Sequence, residues 1–506
     1  MAAITALPTQ RAQLPTFARG GVLTIAGIVG LALLLTSGRY GYFLDELYFL
    51  AAGRQLDWGY ADQPPLLPLL AHLMDSIAPG SLVVLRLPAT LLTAAGVVVT
   101  ALIARELGGR RRAQLLSASA FACCLQFLGT GHLLATSTID PFLWTVLTLL
   151  LVRWIRTRAD GLLVWSGVVT ALALNTKFLI VGFWLVAGCC LLFFGPRTLL
   201  RRPALWIGAA IAAIGVLPTV LWQAFNGWPQ LTMSSAIDEE TSAVGGRLLL
   251  LPTGILSAGM LAGAVLLIYG CWQLLRTDAL RPYRFLGATL LGLAVLFLVA
   301  GGRHYYIAGM FPICWAAAAV TIERRPPARW WRWVPTWPSM VASGLIAVML
   351  TLPVWPESWV RSGSAPNATR FLVAEIDWPR FTESVAEAWQ AIPAEQRSRT
   401  AIVTELYWQA GALSQYGPQH QLPEPYSGNR GYWTLGSPAE QADTVLYVGT
   451  DPTVLRRHFE TVRQLRPAAS PASVADFGRS APLWLASGPD RSWAQLWPEF
   501  REWALP

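Results

Sequence analysis

Two adjacent carboxylates, Asp45 and Glu46, follow the first apolar run of the chain, within Gly41-Tyr42-Phe43-Leu44-Asp45-Glu46-Leu47-Tyr48. A second polar knot, Asp62-Gln63-Pro64-Pro65-Leu66, stands a short way on in the same loop. A carboxylate at the mouth of a membrane span loses hydration that a surface carboxylate keeps, so ionisable groups there mark function by default. Such a carboxylate can take a proton from a hydroxyl, and fixed cations can hold an anion that departs. Asp140, His132 and the stretch Arg303-His304-Tyr305-Tyr306 are further polar groups between apolar runs. Plainer roles compete: an N-cap for Asp45, a first-turn position before Pro141 for Asp140, an interface anchor for Arg86, a solvated loop for Asp238-Glu239-Glu240, and structural roles for His132 and His304.

These residues have to be positioned by a membrane protein. The chain has 506 residues, 54% of them hydrophobic and 13% charged, with mean hydropathy +0.44. Repeated long apolar runs at that composition define a polytopic membrane protein. The net charge of +9 sits as arginines in short loops between apolar runs, a pattern of topology signals that excludes a nucleic-acid partner. The six cysteines, Cys123, Cys124, Cys189, Cys190, Cys271 and Cys314, lie in apolar runs and are read as small buried side chains. The N-terminal stretch to Phe17 is polar, and the run that follows is long enough to remain as an anchor.

Eleven spans are expected, at 18–37, 81–103, 113–129, 138–152, 162–175, 177–194, 204–224, 248–274, 284–301, 305–322 and 336–355. Alternate loops hold Arg105 and Arg110–Arg112, then Arg153, Arg156 and Arg158, then Arg197, Arg201 and Arg202, then Arg276, Arg281 and Arg284, then Arg324, Arg325, Arg329 and Arg332. The opposite loops hold just Arg39, Arg54, Lys177, Arg247 and Arg303. The positive-inside rule puts the arginine-rich set and the N-terminus in the cytoplasm and everything after about Glu357 outside. The apolar stretch 162–194 has cytoplasmic arginines at both ends and must cross twice. Its helical length of about 50 Å is short for two crossings, so Lys177, the single lysine of the chain, is expected at a shallow hairpin tip, either snorkelling or contacting phosphate. Asp45, Glu46, Asp62, Gln63, Lys177, Arg247, Arg303, His304 and Tyr305 then share the outer face, with Asp140 opening a span beside them. In the first outer loop, Leu44, Leu47, Tyr48 and Ala51 fall at helical spacing, as do Leu66, Leu69, Leu70 and Leu73. They predict two helices on the membrane surface with Pro64-Pro65 fixing the chain between them.

From Glu357 the composition turns mixed. Thr400–Thr404, Thr444–Gly449 and Pro482–Ala486 read as buried strands, and Phe381–Ile392, Tyr407–Tyr416 and Trp493–Trp503 as helices. The expected organisation is a transmembrane domain over 1–356 and a small extracytoplasmic α/β domain over 357–506. Tyr426-Ser427-Gly428-Asn429-Arg430-Gly431-Tyr432-Trp433 reads either as a sugar- or peptide-binding loop or as an ordinary turn.

The pair Asp45-Glu46 before Leu47-Tyr48, with Gln63-Pro64-Pro65-Leu66, resembles the lipid-linked-sugar glycosyltransferases of family 39, which include protein O-mannosyltransferases and aminoarabinose transferases. Ala104–Arg110, Asp140 and Arg303–Pro312 extend the likeness over roughly residues 20–325, and Ala410-Gly411-Ala412 and Tyr426–Asn429 resemble an outer domain of bacterial members. Leu406 and Gln409 depart from that pattern, and a histidine expected between Gly428 and Asn429 is missing. The resemblance implies the third structural class of integral-membrane glycosyltransferases, a polyprenyl-phosphate sugar donor, a bacterial inner membrane and inversion at the anomeric carbon. It implies Asp45 as general base, with Glu46 and Asp140 in the catalytic group. Lys177, Arg303, Arg247, His304 and Tyr305 would contact the donor phosphate, and Asp62, Gln63 and Tyr42 the substrate. No cofactor is obligatory under that mechanism, a divalent metal is left open, and the acceptor is an unspecified protein, glycan or lipid. The rival readings are a transporter or lipid-linked-sugar flippase, which would place polar groups along the midplane, and a non-catalytic scaffold.

Overall fold

A computed structural model describes residues 14–243, 246–467 and 476–505. The N-terminal residues 1–13, expected on the arginine-rich side, lie outside the described residues. The membrane half is helical. Its elements are α1 (Arg19–Thr36), α2 (Leu44–Gly53), α3 (Leu66–Ile77), α4 (Leu82–Glu106), α5 (Arg111–Ala122), α6 (Leu125–Gly131), α7 (Thr136–Thr157), α8 (Gly161–Leu174), α9 (Ile180–Phe194), α10 (Pro203–Phe225), α11 (Pro229–Ala243), α12 (Leu250–Ser257), α13 (Ala262–Arg276), α14 (Arg284–Val299), α15 (Phe311–Arg324) and α16 (Trp337–Thr351). Among the described residues six helices are long and apolar enough to cross a membrane, or eight if two bent pairs each count as one span. Each expected span has a helix or helix pair on it. Two are not continuous: 113–129 is bent by 59° between α5 and α6, and 248–274 by 106° between α12 and α13. At the second break Gly259 has φ +128°, a conformation that costs glycine little.

Helices meet closely where side chains are small. A Cβ on Gly167 would lie 2.1 Å from the Gly208 carbonyl oxygen, and one on Gly270 would lie 1.8 Å from that of Cys314. Both helices expected in the first outer loop are present as α2 and α3. Phe43 caps α2, and the Glu46 carboxylate accepts the Phe43 N–H at 2.9 Å. Asp45 is therefore not the N-cap. That side chain is left to point elsewhere.

The C-terminal part contains α17 (Glu357–Arg361), α18 (Trp378–Gln390), α19 (Ala394–Arg397), α20 (Tyr407–Tyr416), α21 (Thr453–His458) and α22 (Trp493–Leu496). Around them runs a five-stranded sheet in the order β2-β1-β3-β5-β4. Its strands are β1 (Thr400–Thr404), β2 (Tyr426–Ser427), β3 (Thr444–Val448), β4 (Phe459–Arg466) and β5 (Leu483–Pro489). β1 pairs parallel with β2 and β3, and β5 pairs antiparallel with β3 and β4. The three expected strands form the buried centre. The edges escaped the sequence reading: β2 is two residues long, and β4 carries charged, exposed side chains that suit an edge. The helix expected over Trp493–Trp503 stops at Leu496, gives way to a 3₁₀ turn at Trp497–Phe500, and ends as extended chain where Glu502 bridges to Asn429. The helix expected at Phe381 begins earlier, at Trp378, because Pro379 fits a first turn.

Helix α20 lies directly on α2. A Cβ on Gly411 would sit 2.9 Å from the Leu47 backbone carbon, so the Ala410-Gly411-Ala412 stretch is the small-residue face that lets the two helices touch. Gln409, a departure from the family pattern, closes the start of α20. Its Oε1 accepts the Leu406 N–H at 3.0 Å and its Nε2 donates to the Gly478 carbonyl at 2.6 Å.

Candidate active site

One turn of α2 exposes Asp45, Tyr48 and Phe49 to a cavity of about 130 Å3. The loop to α3 adds Asp62, Gln63 and Pro64, and the α8–α9 turn adds Thr176, Lys177 and Phe178. Gln230, Met233 and Ile237 of α11 form another wall, with Arg303, Tyr305 and Tyr306 before α15. The C-terminal part completes it with Tyr407 and Arg430. Segments from the first outer loop to Arg430 thus bring carboxylates and cations into one space.

Asp45 accepts a 2.6 Å hydrogen bond from the Tyr407 hydroxyl on Oδ1. Asp62 accepts one of 2.8 Å from the Tyr48 hydroxyl. Burial raises the Asp62 carboxyl above its ordinary value, against the lowering effects of Tyr48 and Arg430. Lys177 lies over the ring faces of Tyr306 and Tyr305, 4.4 and 5.2 Å from their centroids, an arrangement that holds an ammonium by cation–π attraction. Arg303 donates to Glu240 Oε2 at 2.8 Å, and Arg430 pairs with the other oxygen of the same carboxylate. Among the described residues, the buried Gln63 Nε2 and Gln230 Oε1 have no hydrogen-bond partner, and both residues line this cavity. Among the described residues, no three His, Cys, Asp or Glu side chains gather as a metal-binding group.

Of the expected site residues, Asp45, Asp62, Gln63, Lys177, Arg303 and Tyr305 converge here. The others lie outside the cavity lining. Glu46 is fully buried against Arg86, which it binds at 2.9 and 2.7 Å. Asp140 is buried and accepts the Trp144 indole N–H at 3.1 Å. Arg247 is paired with Asp238 at 2.7 Å. The His304 ring packs edge-on against Tyr305. Tyr42 faces Gln415 and Tyr416. Two plain readings are also corrected. Arg86 is no interface anchor: it is fully buried, and it also donates to the carbonyls of Ser37 and Gly41 and to Glu375 at 3.2 Å. The acidic loop is not simply solvated, because Asp238 and Glu240 each neutralise arginine. His132 joins the Arg86 cluster through Nε2, 3.0 Å from Glu375.

Sequence reasoning missed Tyr48, Tyr306, Tyr407 and Arg430 as site residues. Tyr48 and Tyr306 stood inside the quoted motifs, one turn from Asp45 and one residue from Tyr305. Arg430 lay in the Gly-rich loop already singled out. Tyr407 carried no signal, since its placement depends on the docking of α20 onto α2.

Solved structures with this architecture are integral-membrane glycosyltransferases. ArnT from Cupriavidus metallidurans bound to undecaprenyl phosphate matches with a TM-score of 0.59 at 15% identity, over 93% of this chain and 98% of that one. Its apo state matches at 0.58 and 14%, over 97% and 100%. The arabinofuranosyltransferase AftD from Mycobacteria matches at 0.51 and 15%, over 96% of this chain and 41% of that one. No curated protein matches. The fold is thus that of the third class of membrane glycosyltransferases, multi-pass with a small C-terminal sheet domain. Residues 62–222 match the family described as dolichyl-phosphate-mannose-protein mannosyltransferase. That segment contains the Asp62-Gln63-Pro64 and Thr176-Lys177-Phe178 stretches of the cavity wall.

Proposed function

We propose that this protein is an inverting glycosyltransferase that moves a hexosyl or pentosyl group from a polyprenyl-phosphate donor to an extracytoplasmic hydroxyl. The observation that carries the reading is the shared cavity of Asp45, Lys177 and Arg303. Asp45 takes the proton of the acceptor hydroxyl as its oxygen attacks the anomeric carbon. The bond from that carbon to the phosphate oxygen breaks, polyprenyl phosphate leaves with the electron pair, and configuration inverts. Lys177 and Arg303 meet the charge that develops on the leaving phosphate. Tyr407 holds the Asp45 carboxylate through its 2.6 Å hydrogen bond and so fixes the direction in which the base points.

An apolar groove of about 500 Å3 between α8, α9 and α10 supports the donor class. Its wall includes Leu174, Ile180 and Val181, which flank the turn that presents Lys177. A prenyl chain in the groove brings its phosphate to that lysine. The ArnT relative was solved with undecaprenyl phosphate, a lipid of the same chemistry. The family resemblance supplies a bacterial cytoplasmic membrane, the change of composition at Glu357 supplies a domain boundary at 356/357, and the arginine pattern supplies an inside N-terminus and an outside C-terminal domain.

The test is release of polyprenyl phosphate and sugar transfer by purified protein, supplied with polyprenyl-phosphate sugars and membrane or envelope acceptors. Asp45→Asn should bind donor and transfer about 10²–10⁴-fold more slowly. Full transfer by that variant sinks the base assignment. Mass spectrometry of envelope glycans with and without the gene identifies the product.

A further inference from the structure

On the far side of Tyr48 lies a second cavity, of about 240 Å3. Ala51 of α2 and Gln55 just beyond its end contribute to it, and the outer domain gives it Glu424, Tyr426, Tyr432 and Ser437. The wall between the two cavities is thin. The Tyr432 ring centroid is 6.2 Å from that of Tyr48. At the neighbouring Gly431, a Cβ would lie 2.0 Å from the Tyr48 hydroxyl and 2.5 Å from Asp62 Oδ1. Glycine is therefore required there for the loop to close on the site.

The chemistry of this wall selects its ligand. Among the described residues, the Gln55 amide and the hydroxyls of Tyr426 and Ser437 have no hydrogen-bond partner, and Gln55 and Ser437 are exposed to solvent. Glu424 gives Oε1 to the Ser414 hydroxyl at 2.6 Å. Among the described residues no cation lines the cavity. The nearby Arg54 is committed to the Ser414 carbonyl, the Ser414 hydroxyl and Gln415. A phosphate or carboxylate ligand would meet Glu424 with no counter-charge. An acyl chain would leave the amide, hydroxyls and carboxylate unpaired. A ligand with many hydroxyls satisfies them, and the half-buried Tyr426 and the buried Tyr432 add aromatic lining beside them. The volume lies below the ~300–1,000 Å3 of ordinary small-molecule pockets, so it suits one ring rather than a long glycan.

We infer that this cavity is an acceptor subsite for a neutral or aminated saccharide unit, and that it holds the sugar next to the one whose hydroxyl enters the Asp45 cavity. The inference rests on the glycosyl-transfer reading. Tyr48 separates this subsite from Lys177 and Arg303, so donor and acceptor sugars are read by different walls of one helix.

The experiment uses the full chain in lipid nanodiscs with mannotriose, maltotriose and chitotriose as probes. Calorimetric titration should show binding of at least one trisaccharide to the wild type. Glu424→Gln and Gln55→Ala should each weaken that binding about tenfold, or roughly 1.4 kcal/mol, with the melting temperature of the sugar-free protein unchanged. Absence of binding by all three sugars overturns the subsite. So does equal binding by the variants, or displacement of the sugar by a serine-containing peptide. Cleavage of a polyprenyl-phosphate sugar by the wild type is measured alongside. Cleavage without saccharide binding removes the subsite alone. Saccharide binding that the variants lose, without any cleavage, removes the transferase reading instead.

Discussion

Asp45 and Glu46 are neighbours on one helix and live in opposite surroundings. Successive side chains on an α-helix point about 100° apart. That rotation carries Asp45 into a cavity with Tyr407, Lys177 and Arg303, while Glu46 enters a closed cluster with Arg86, Glu375 and His132 in which every side chain is fully buried. The first carboxylate has one protein partner on Oδ1. The second is held by Arg86, the Leu134 N–H and the Phe43 N–H together. An open site leaves a base room to meet substrate. A closed ion cluster fixes the backbone that carries it. On the proposed reading the same pair divides into a reacting group and its foundation.

Breaking each side should give different signatures. Asp45→Asn should lower the transfer rate by about 10²–10⁴-fold, the range for a general base, with thermal unfolding unchanged. A loss of stability instead would merge the two roles. Arg86→Met strands Glu46 and Glu375 without a counter-charge and should destabilise by about 3–5 kcal/mol, read as a drop in melting temperature in detergent. Lys177→Met should slow transfer by about 10²–10³-fold and weaken binding of free polyprenyl phosphate, while Glu46→Gln should leave that binding alone. Tyr407→Phe keeps the ring and removes the hydrogen bond to Asp45, and should cost about tenfold in kcat, as for a bond to a charged group. The smallest effect is on acid stability. Burial pushes the Glu375 carboxyl up, but His132 and Arg86 outweigh burial and hold it below its ordinary value of 4.5. Its stabilisation is complete above pH 4.5 and lost as pH falls through the lower value in the fold. Glu375→Gln should therefore show a shallower decline below pH 4.5 in tryptophan fluorescence than the wild type.

The parts legible in the sequence were those that local chemistry decides. Apolar run length located the membrane helices, helical spacing gave α2 and α3, and apolar strands gave the centre of the sheet. Carboxylate placement found Asp45 and Asp62, and the lone lysine found Lys177. The rest depends on which surfaces meet. Glu375 lies far along the chain from Glu46 and looks like an ordinary acid until it is packed against Arg86. Arg247 and Arg303 stand in similar contexts, yet Asp238 takes the first while the second reaches the cavity. The breaks within 113–129 and 248–274 read as uninterrupted apolar runs, since hydropathy counts residues and is blind to the turn at Gly259. Charge at the edge strand β4 hid it, because alternation is clearest where one face is buried.

The seam between α2 and α20 has a consequence for the order of manufacture. Asp45 is synthesised 362 residues ahead of the tyrosine that hydrogen-bonds it, and Arg430 follows later still. During most of translation the carboxylate stands in a half-built chamber, and Arg86 has Glu46 but lacks Glu375. A chain cut short before α20 carries all its membrane helices yet neither hydroxyl nor arginine from the late segment. The last third of the protein thus completes a chamber that the first third begins, through Tyr407 and Arg430.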